Sequence, residues 1–174
     1  MKIQSSGKLL LDMVNDTLEL SRIESGKMVL EPENLVSREI LENVITALRP
    51  SAEAKLIQLV VEENFPKDEV IRTDRLKLQK VVLNLLSNAI KYTHAGGIVK
   101  ITFSTYEKAV NGCNHFIAVE DNGIGMSKEF LSRAFEPFSQ ENRPEAVNAV
   151  GTGLGLTIVK RIVDMMGGNI TVES

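Results

Sequence analysis

Residues 73–93 read TDRLKLQKVVLNLLSNAIKYT and predict one strongly amphipathic helix with Asp74 as its N-cap. At about 100° per residue, Asn84, Asn88 and Lys91 fall on one face of this helix. The other side is apolar and is predicted to pack on the core: Leu76, Leu78, Val82, Leu83, Leu85, Leu86, Ala89 and Ile90.

The polar face of this helix is unusual because it carries two asparagines. Exposed helical positions more commonly hold Glu, Lys or Gln, since Asn is a mediocre helix former. The amide oxygens of Asn84 and Asn88 beside the cation of Lys91 suit a hydrated Mg²⁺ and a polyphosphate. An ordinary solvated face with two incidental asparagines explains the same pattern, so the helix alone leaves both interpretations open.

The composition narrows the class of protein. The 174 residues are 43% hydrophobic and 25% charged with a net charge of −3, which predicts one globular α/β domain with an appendage and disfavours broad nucleic-acid binding. The single cysteine, Cys113, excludes an intramolecular disulfide and fits a reducing compartment. With no apolar run of about 20 residues and no signal peptide, we expect a cytoplasmic chain, whether or not its parent protein is membrane-anchored.

The N-terminal segment predicts a helix over residues 2–24, ended by Gly26. A narrow seam with polar interruptions runs along it: Ile3, Ser6, Leu10, Met13, Thr17 and Leu20. This pattern predicts weak self-association through residues 1–24.

The remaining elements follow from alternation and helical spacing. Ser37 is the expected N-cap of a helix that Pro50 should kink or end, and Ser127 caps a short helix to about Arg133. Strands are predicted at 28–30, 56–62, 69–72, 98–106, 115–120 and 169–173, with 98–106 and 115–120 forming an antiparallel hairpin. Residues 139–150 lack a clear period and predict a mobile lid.

Two glycine-rich segments suit a nucleotide. Asp121, in DNGIGM (121–126), ends a strand and can accept a hydrogen bond from an exocyclic amine such as that of adenine. The segment GTGLGL (151–156) opens a helix that runs to Met166, and backbone N–H groups at a helix N-terminus attract phosphates. Taken singly, Asp-Asn-Gly is also a common turn, and a lone G-x-G-x-G is weak evidence.

The ordered set N-x-x-x-N-A-x-K-Y-T, D-N-G-I-G-M, F-E-P-F and G-T-G-L-G-L closely resembles the ATP-binding catalytic domain of sensor histidine kinases. There these motifs are the N, G1, F and G2 boxes, and the domain belongs to the GHKL (Bergerat) superfamily, shared with type II topoisomerases. The resemblance covers roughly residues 35–174. The helix ending in LELSRIESGK is similar to the second helix of the same family's dimerisation and phosphoacceptor hairpin.

The resemblance implies an α/β (α+β) two-layer sandwich, in which a mixed, mostly antiparallel sheet packs on helices and the N-terminal helix lies outside. It divides the chain into a partial dimerisation helix, residues 1–26, and an ATP-binding catalytic domain, residues 27–174, which ends before its C-terminal strand is complete.

The resemblance also implies roles for individual residues. Asn88 is the expected Mg²⁺ ligand, Asn84 contacts the metal shell or phosphates, and Lys91 pairs with phosphate. Tyr92 lies near the adenine or ribose, and Asp121 binds the adenine amine. The positions that let the base approach or cradle phosphates are Gly123, Gly125, Gly151, Thr152, Gly153, Leu154 and Gly155. Phe135 and Phe138 are expected to anchor the lid by packing, and Arg143 is either a γ-phosphate cation or an ordinary solvated arginine.

The implied function is phosphoryl transfer from ATP to a histidine, with Asn84, Asn88 and Lys91 as the catalytic residues. ATP-hydrolysing members of the superfamily have a Glu general base where this chain has Asn84, and an amide cannot take a proton from water. His94 and His115 lie outside the family's acceptor motif, so the acceptor belongs to a phosphoacceptor domain outside this chain. A response regulator receiver domain is the implied downstream partner. The alternative is a nucleotide-binding regulatory module without phosphotransfer.

Overall fold

The computed structural model describes residues 2–110, 113–141 and 151–174, and within these the side chains of residues 2–6, 8, 107–110, 113 and 114 are left undescribed. The elements in chain order are α1 (Lys2–Glu24), β1 (Glu33–Val36), α2 (Ser37–Ala54), β2 (Gln58–Asn64), β3 (Val70–Thr73), α3 (Arg75–Tyr92), β4 (Ile98–Val110), β5 (Cys113–Asp121), α4 (Lys128–Leu131) and α5 (Gly155–Met165).

The strands form two sheets over the described residues. In the smaller one, β1 pairs antiparallel with β3, from Glu33 opposite Thr73 to Val36 opposite Val70. In the larger one, β4 is central, with β2 parallel on one side and β5 antiparallel on the other. The predicted hairpin and the mixed, mostly antiparallel character of the fold are confirmed.

Helix α3 lies between two apolar clusters. One cluster joins it to α2 and the larger sheet through residues that include Val82, Leu86 and Ile90. The other joins it to α5 and α1 and comprises Leu20, Val81, Leu154, Ile158, Val159 and Ile162. Helix α1 thus sits beside α3 and α5, outside the helix and sheet layers, as predicted.

The predicted core face of α3 was partly wrong. Leu76 is 72% exposed and Leu83 is 41% exposed, whereas Val81, which was not included, is buried. The reason is that α3 buries two separate sides, one on the sheet and one on α5, and Leu76 and Leu83 fall outside both.

The structure corrects the predicted cap of α2 and removes one of the two alternatives predicted for its proline, the end of the helix. Val36 occupies the N-cap position, and Ser37 is a buried helical residue whose Oγ donates to Glu69 Oε2 at 3.3 Å. Pro50 does not end the helix, which continues to Ala54. The last turn is retained because Ala52, beyond the proline, is buried in the core.

The strands predicted at 28–30 and 169–173 are absent from the structure, in which both segments are described. Met28 N donates to Arg22 O at 3.1 Å, so this residue belongs to the turn that ends α1 at Gly26, where φ is +65°. Near the other segment, Ile170 packs against the α5 cluster and Ser174 Oγ accepts a hydrogen bond from Met126 N at 2.7 Å. A helix-ending turn holds the first segment, and side-chain contacts hold the second.

Candidate functional site

The polar face of α3 is set by the way the helix begins. Asp74 Oδ1 accepts a hydrogen bond from Lys77 N at 3.0 Å, and Asp74 Oδ2 accepts one from Glu31 N at the same distance. The cap fixes the residue at which the helix begins and so the direction in which each later side chain points. The prediction of Asp74 as N-cap is confirmed.

One large cavity brings the predicted site residues together. Its lining includes Asn84, Asn88, Lys91, Tyr92, Asp121, Gly123, Gly125, Gly151, Thr152, Gly153 and Gly155. Leu154 is the exception, because its side chain is fully buried between α1, α3 and α5. Leu154 therefore anchors the glycine-rich loop to the core while its neighbours face the cavity.

The amide of Asn84 is oriented by its own helix. Its Nδ2 donates to Lys80 O at 3.0 Å, and its Oδ1 points at Gly155, where an added Cβ would lie 3.0 Å from that oxygen. Asn88, one turn later and half-buried, lines the same cavity. Mg²⁺ usually binds through one or two protein oxygens plus phosphates and waters, so this pair of amides fits the ion together with a polyphosphate.

A cation bridges α3 and the glycine-rich loop. Lys91 Nζ lies 4.6 Å from the centroid of the Tyr92 ring, and a Cβ on Gly151 would come within 2.7 Å of Nζ. A side chain at residue 151 would push the ammonium group aside, so the glycine lets the loop come close to Lys91. Lys91 is thereby held beside backbone N–H groups that can bind the same anion.

The loop after β5 lies directly on the end of α3. Asp121 Oδ1 accepts from Gly123 N at 2.9 Å, and Ile124 N donates to Tyr92 O at 3.2 Å. A Cβ on Gly123 would meet Tyr92 O at 2.5 Å, so the glycine is required by this close approach.

Lys55 is a site-supporting residue that the sequence analysis missed. Its Nζ donates to the carbonyls of Ile90 and Lys91 at 2.8 Å each and to that of Thr93 at 2.9 Å. Two of these carbonyls belong to the last turn of α3 and the third to its C-cap, where carbonyls have no partner within the helix. No local pattern could have indicated the contact, because Lys55 precedes the groups it binds by 35 to 38 residues.

The glycine-rich loop contacts two other segments, α1 and residues 138–140. Gly151 O accepts from Gln140 Nε2 at 2.9 Å, and Thr152 Oγ1 donates to Asp16 Oδ2 of α1 at 3.0 Å. Gly153 has φ of +73°, and a Cβ there would lie 2.9 Å from the backbone of Phe138. Phe138 thus packs on the loop through its backbone, while its side chain is 59% exposed.

The predicted lid is described only at its start. Glu141 accepts hydrogen bonds from Ser127 N at 3.1 Å and Ser127 Oγ at 3.0 Å, which ties residue 141 to the start of α4. Ser127 Oγ also accepts from Phe130 N, which confirms the predicted cap of that helix. Residues 142–150, including Arg143, lie outside the described residues.

The sequence of the chain matches a known protein family. Residues 73–174 match the family described as histidine kinase-, DNA gyrase B-, and HSP90-like ATPase. The chain belongs to this family. The match includes α3 and both glycine-rich loops, whereas the part of the cavity lining that α1 supplies precedes it. The resemblance to histidine kinase catalytic domains that the four motifs predicted is confirmed.

Individual relatives agree. Sensor histidine kinase GacS of Pseudomonas protegens is 38% identical over 174 residues, covering 99% of this chain and 19% of GacS. Autoinducer 2 sensor kinase/phosphatase LuxQ of Vibrio parahaemolyticus is 36% identical, covering 99% of this chain and 20% of LuxQ. The chain thus spans about a fifth of the length of these curated relatives. The crystal structure of full-length ShkA in complex with AMPPNP superposes with a TM-score of 0.77 at 30% identity, over 95% of this chain and 33% of ShkA.

In the part of the chain that the structure describes, no helix is both long and apolar enough to cross a membrane. No cluster of three or more His, Cys, Asp or Glu side chains that could hold a metal ion occurs among those residues either.

Proposed function

We propose that this chain binds Mg-ATP in the cavity between α3 and the loops at 121–126 and 151–155, and transfers the γ-phosphoryl group to a histidine outside residues 1–174. The observation that carries the proposal is the convergence of Asn84, Lys91 and Asp121 with two glycine-rich loops in one cavity. The similarity to ShkA, which was solved with an ATP analogue, supports the ligand class. ATP as phosphoryl donor also favours a cytoplasmic location.

Each side of the cavity has a distinct task. Asp121 receives the adenine amine, and Tyr92, half-buried at the end of α3, lies beside the base or ribose. Lys91 and the N–H groups of residues 151–153 neutralise phosphate charge, and Asn84 and Asn88 supply amide oxygens for Mg²⁺. When bound, that ion would lower the charge of the triphosphate.

The chemistry is phosphoryl transfer by positioning. The lone pair of an imidazole nitrogen forms a P–N bond with the γ-phosphorus while the bridging P–O bond breaks and ADP leaves. The amide of Asn84 cannot accept a proton from water, and its Nδ2 already donates to Lys80 O. Attack by water is therefore poorly assisted, which preserves the γ-phosphoryl group for the histidine.

Neither histidine of the chain is suited to accept the phosphoryl group. His94 directly follows the C-cap of α3, and its carbonyl accepts from Gly97 N at 3.0 Å. His115 lies in β5 beside Glu69, with 4.0 Å between Nδ1 and Oε2. Six residues of strand, about 20 Å, separate His115 from Asp121 at the nucleotide end. We infer an acceptor in a separate phosphoacceptor domain and a receiver domain of a response regulator as the next partner.

The exposed side of α1 supports weak homodimerisation through residues 1–24. Its apolar residues Leu10, Leu11, Val14 and Leu18 are 54% to 65% exposed. One helix per chain provides only half of a four-helix dimer core, so we expect a concentration-dependent association. Sedimentation at several concentrations tests this, and a tight dimer that survives deletion of residues 1–24 would contradict it.

The proposed function is tested by binding and transfer together. A fluorescent ATP analogue is titrated with and without Mg²⁺ against the wild type, Asn88→Ala and the control Asn64→Ala, whose side chain bonds Ser104 on the sheet. We expect Mg²⁺ to tighten binding in the wild type and the control but not in Asn88→Ala. An unchanged Mg²⁺ dependence in Asn88→Ala would remove this residue from the metal site.

Transfer distinguishes a kinase from a regulatory nucleotide-binding module. With γ-labelled ATP, the chain alone should stay unlabelled, while an added hairpin domain carrying an acceptor histidine becomes labelled. Binding without transfer to any such domain would favour the regulatory module. Acid-labile label on the chain itself, abolished by replacing His94 or His115, would show that it carries its own acceptor.

A further inference from the structure

Lys80 is a second cation on the polar face of α3. Residues 80, 84, 88 and 91 follow one another at helical spacing and line the same cavity. The carbonyl of Lys80 also accepts the hydrogen bond that orients Asn84. A lysine one turn before Asn84 extends the positive face of the helix beyond Lys91, toward the side of the cavity that α1 borders.

Two carboxylates of α1 hold this lysine. Lys80 Nζ forms an ion pair with Glu19 and lies 3.8 Å from Asp16 Oδ1. Asp16 uses its other oxygen, Oδ2, to accept the hydrogen bond from Thr152 Oγ1 at 3.0 Å. A single carboxylate of α1 therefore contacts both a cation of α3 and the glycine-rich loop.

Apolar packing fixes α1 in this position. Leu20, one residue after Glu19, is 8% exposed and belongs to the cluster formed with Leu154 and Ile158. Lys77 adds a contact to Glu19 at 3.4 Å. The contact of Asp16 with the loop is thus one part of a docked helix, not an isolated surface contact.

We propose that Lys80 is a further phosphate-binding residue and that Asp16 competes with the nucleotide for Lys80 and Thr152. This inference rests on the nucleotide site proposed above. The Asp16 and Lys80 side chains are only 21% and 31% exposed, so solvent screens their charges incompletely. A polyphosphate in the same cavity repels Asp16 and attracts Lys80. Helix α1 in its docked position therefore lowers nucleotide affinity, and its displacement raises it.

The test is a comparison of nucleotides that differ in phosphate number. Dissociation constants for ATP, ADP and AMP are measured by calorimetry on the full 174-residue chain, the Asp16→Asn and Lys80→Met variants and the double variant. Asp164→Asn is the control, because it makes the same change in net charge and its partner Lys160 lies outside the cavity.

We expect Asp16→Asn to tighten ATP binding roughly fivefold and AMP binding less than about twofold, since the repulsion grows with phosphate charge. Lys80→Met should weaken ATP binding by a similar factor, and the effect of Asp16→Asn should shrink in the Lys80→Met background. The effect should also fall at high salt.

Each of the following results would overturn the inference. Weaker ATP binding in Asp16→Asn would show that this carboxylate supports the loop instead of competing. If Asp16→Asn changes ATP and AMP binding equally, the competition is not specific for phosphates. The same holds if Asp16→Asn and Asp164→Asn have equal effects on ATP binding. If the wild type binds ATP but none of the variants differs from it, this inference fails alone, whereas a wild type that binds no ATP overturns the proposed function as well.

Discussion

The two ends of the cavity are built in different ways. The end proposed to bind adenine, here called the adenine end, consists of the start of β4, β5 with its following loop, and the end of α3. Backbone hydrogen bonds join these elements, such as Ile124 N to Tyr92 O and Asn122 N to Ile98 O, at 3.2 Å each. The phosphate end is the loop at 151–155. Side chains from α1 and from residue 140 hold it, through Asp16 and Gln140.

This difference predicts different responses to change. Backbone contacts at the adenine end cannot be altered without moving α3 or the sheet, so that end is a fixed platform. Side-chain contacts at the phosphate end can be exchanged for contacts with phosphates at little cost to the fold. Regulation by a neighbouring segment is therefore expected at the phosphate end, which is where α1 lies.

The largest expected effect comes from Gly123→Ala at the adenine end. The new methyl would lie 2.5 Å from Tyr92 O and 2.7 Å from Asp121 Oδ1, so the loop must move away from α3. We expect ATP, ADP and AMP binding all to weaken by more than about tenfold, with a loss of roughly 1–3 kcal/mol in the free energy of unfolding. Calorimetry and denaturant unfolding measure both. Gly7→Ala is the control, since no described atom lies within 4 Å of the added methyl.

Gly153→Ala tests the phosphate end in the same way. Its φ of +73° and the Phe138 backbone 2.9 Å from the new Cβ make alanine strained there. We expect ATP binding to weaken about tenfold while AMP binding changes by less than about threefold, because the strain is confined to the loop. Equal losses for both nucleotides would contradict the division of the cavity into two ends.

Lys55→Met should weaken nucleotide binding less than the two glycine substitutions, because it acts indirectly through the end of α3. The substitution leaves three terminal carbonyls of α3 without the ammonium group that they share. We expect a loss of roughly 1–3 kcal/mol in stability and a few-fold weakening of all three nucleotides alike. Lys55→Arg should recover part of both, since a guanidinium also donates several hydrogen bonds. A change in ATP binding alone would show that Lys55 acts on phosphates instead.

Sequence reasoning succeeded where the deciding interaction is local. The helix at 75–92, its cap at Asp74, the hairpin of β4 and β5 and the cap at Ser127 all follow from patterns within a few residues. The site residues share such patterns, since all eleven that line the cavity lie in three short motifs, with Asp121 at the start of one.

It failed where contacts between distant segments decide. Asp16 and Thr152 are 136 residues apart, and Lys55 binds carbonyls 35 to 38 residues later. Ser37 has a side chain typical of a helix cap, but its hydroxyl group donates a hydrogen bond to Glu69 instead. Residues 169–173 alternate like a strand, although Ile170 packs on α5 instead. These outcomes depend on which surfaces pack together in the folded chain, and the periodicity of the sequence does not contain that information.

The smallest effect is expected at Lys100, which lies on β4 outside both ends of the cavity. Its hydrogen bond to Glu120 at 2.7 Å raises the pKa of the ammonium group, with Glu62 at 3.6 Å adding to the attraction and partial burial opposing it. A lysine pKa raised by folding gives a stabilisation that is fully present below about 10.5 and lost as the pH rises through the folded-state value.

Because solvent screens this exposed pair, Lys100→Met should leave nucleotide binding unchanged and shift the melting temperature by less than about 2 °C near pH 7. The small difference between the variant and the wild type should persist to about pH 9 and disappear only at more alkaline pH. Melting curves at several pH values, with ATP titrations at neutral pH, measure both. A change in ATP affinity on Lys100→Met would mean that charges on the sheet influence nucleotide binding. The contrast between a fixed adenine end and an adjustable phosphate end would then not be sufficient to explain binding, because the sheet would contribute as well.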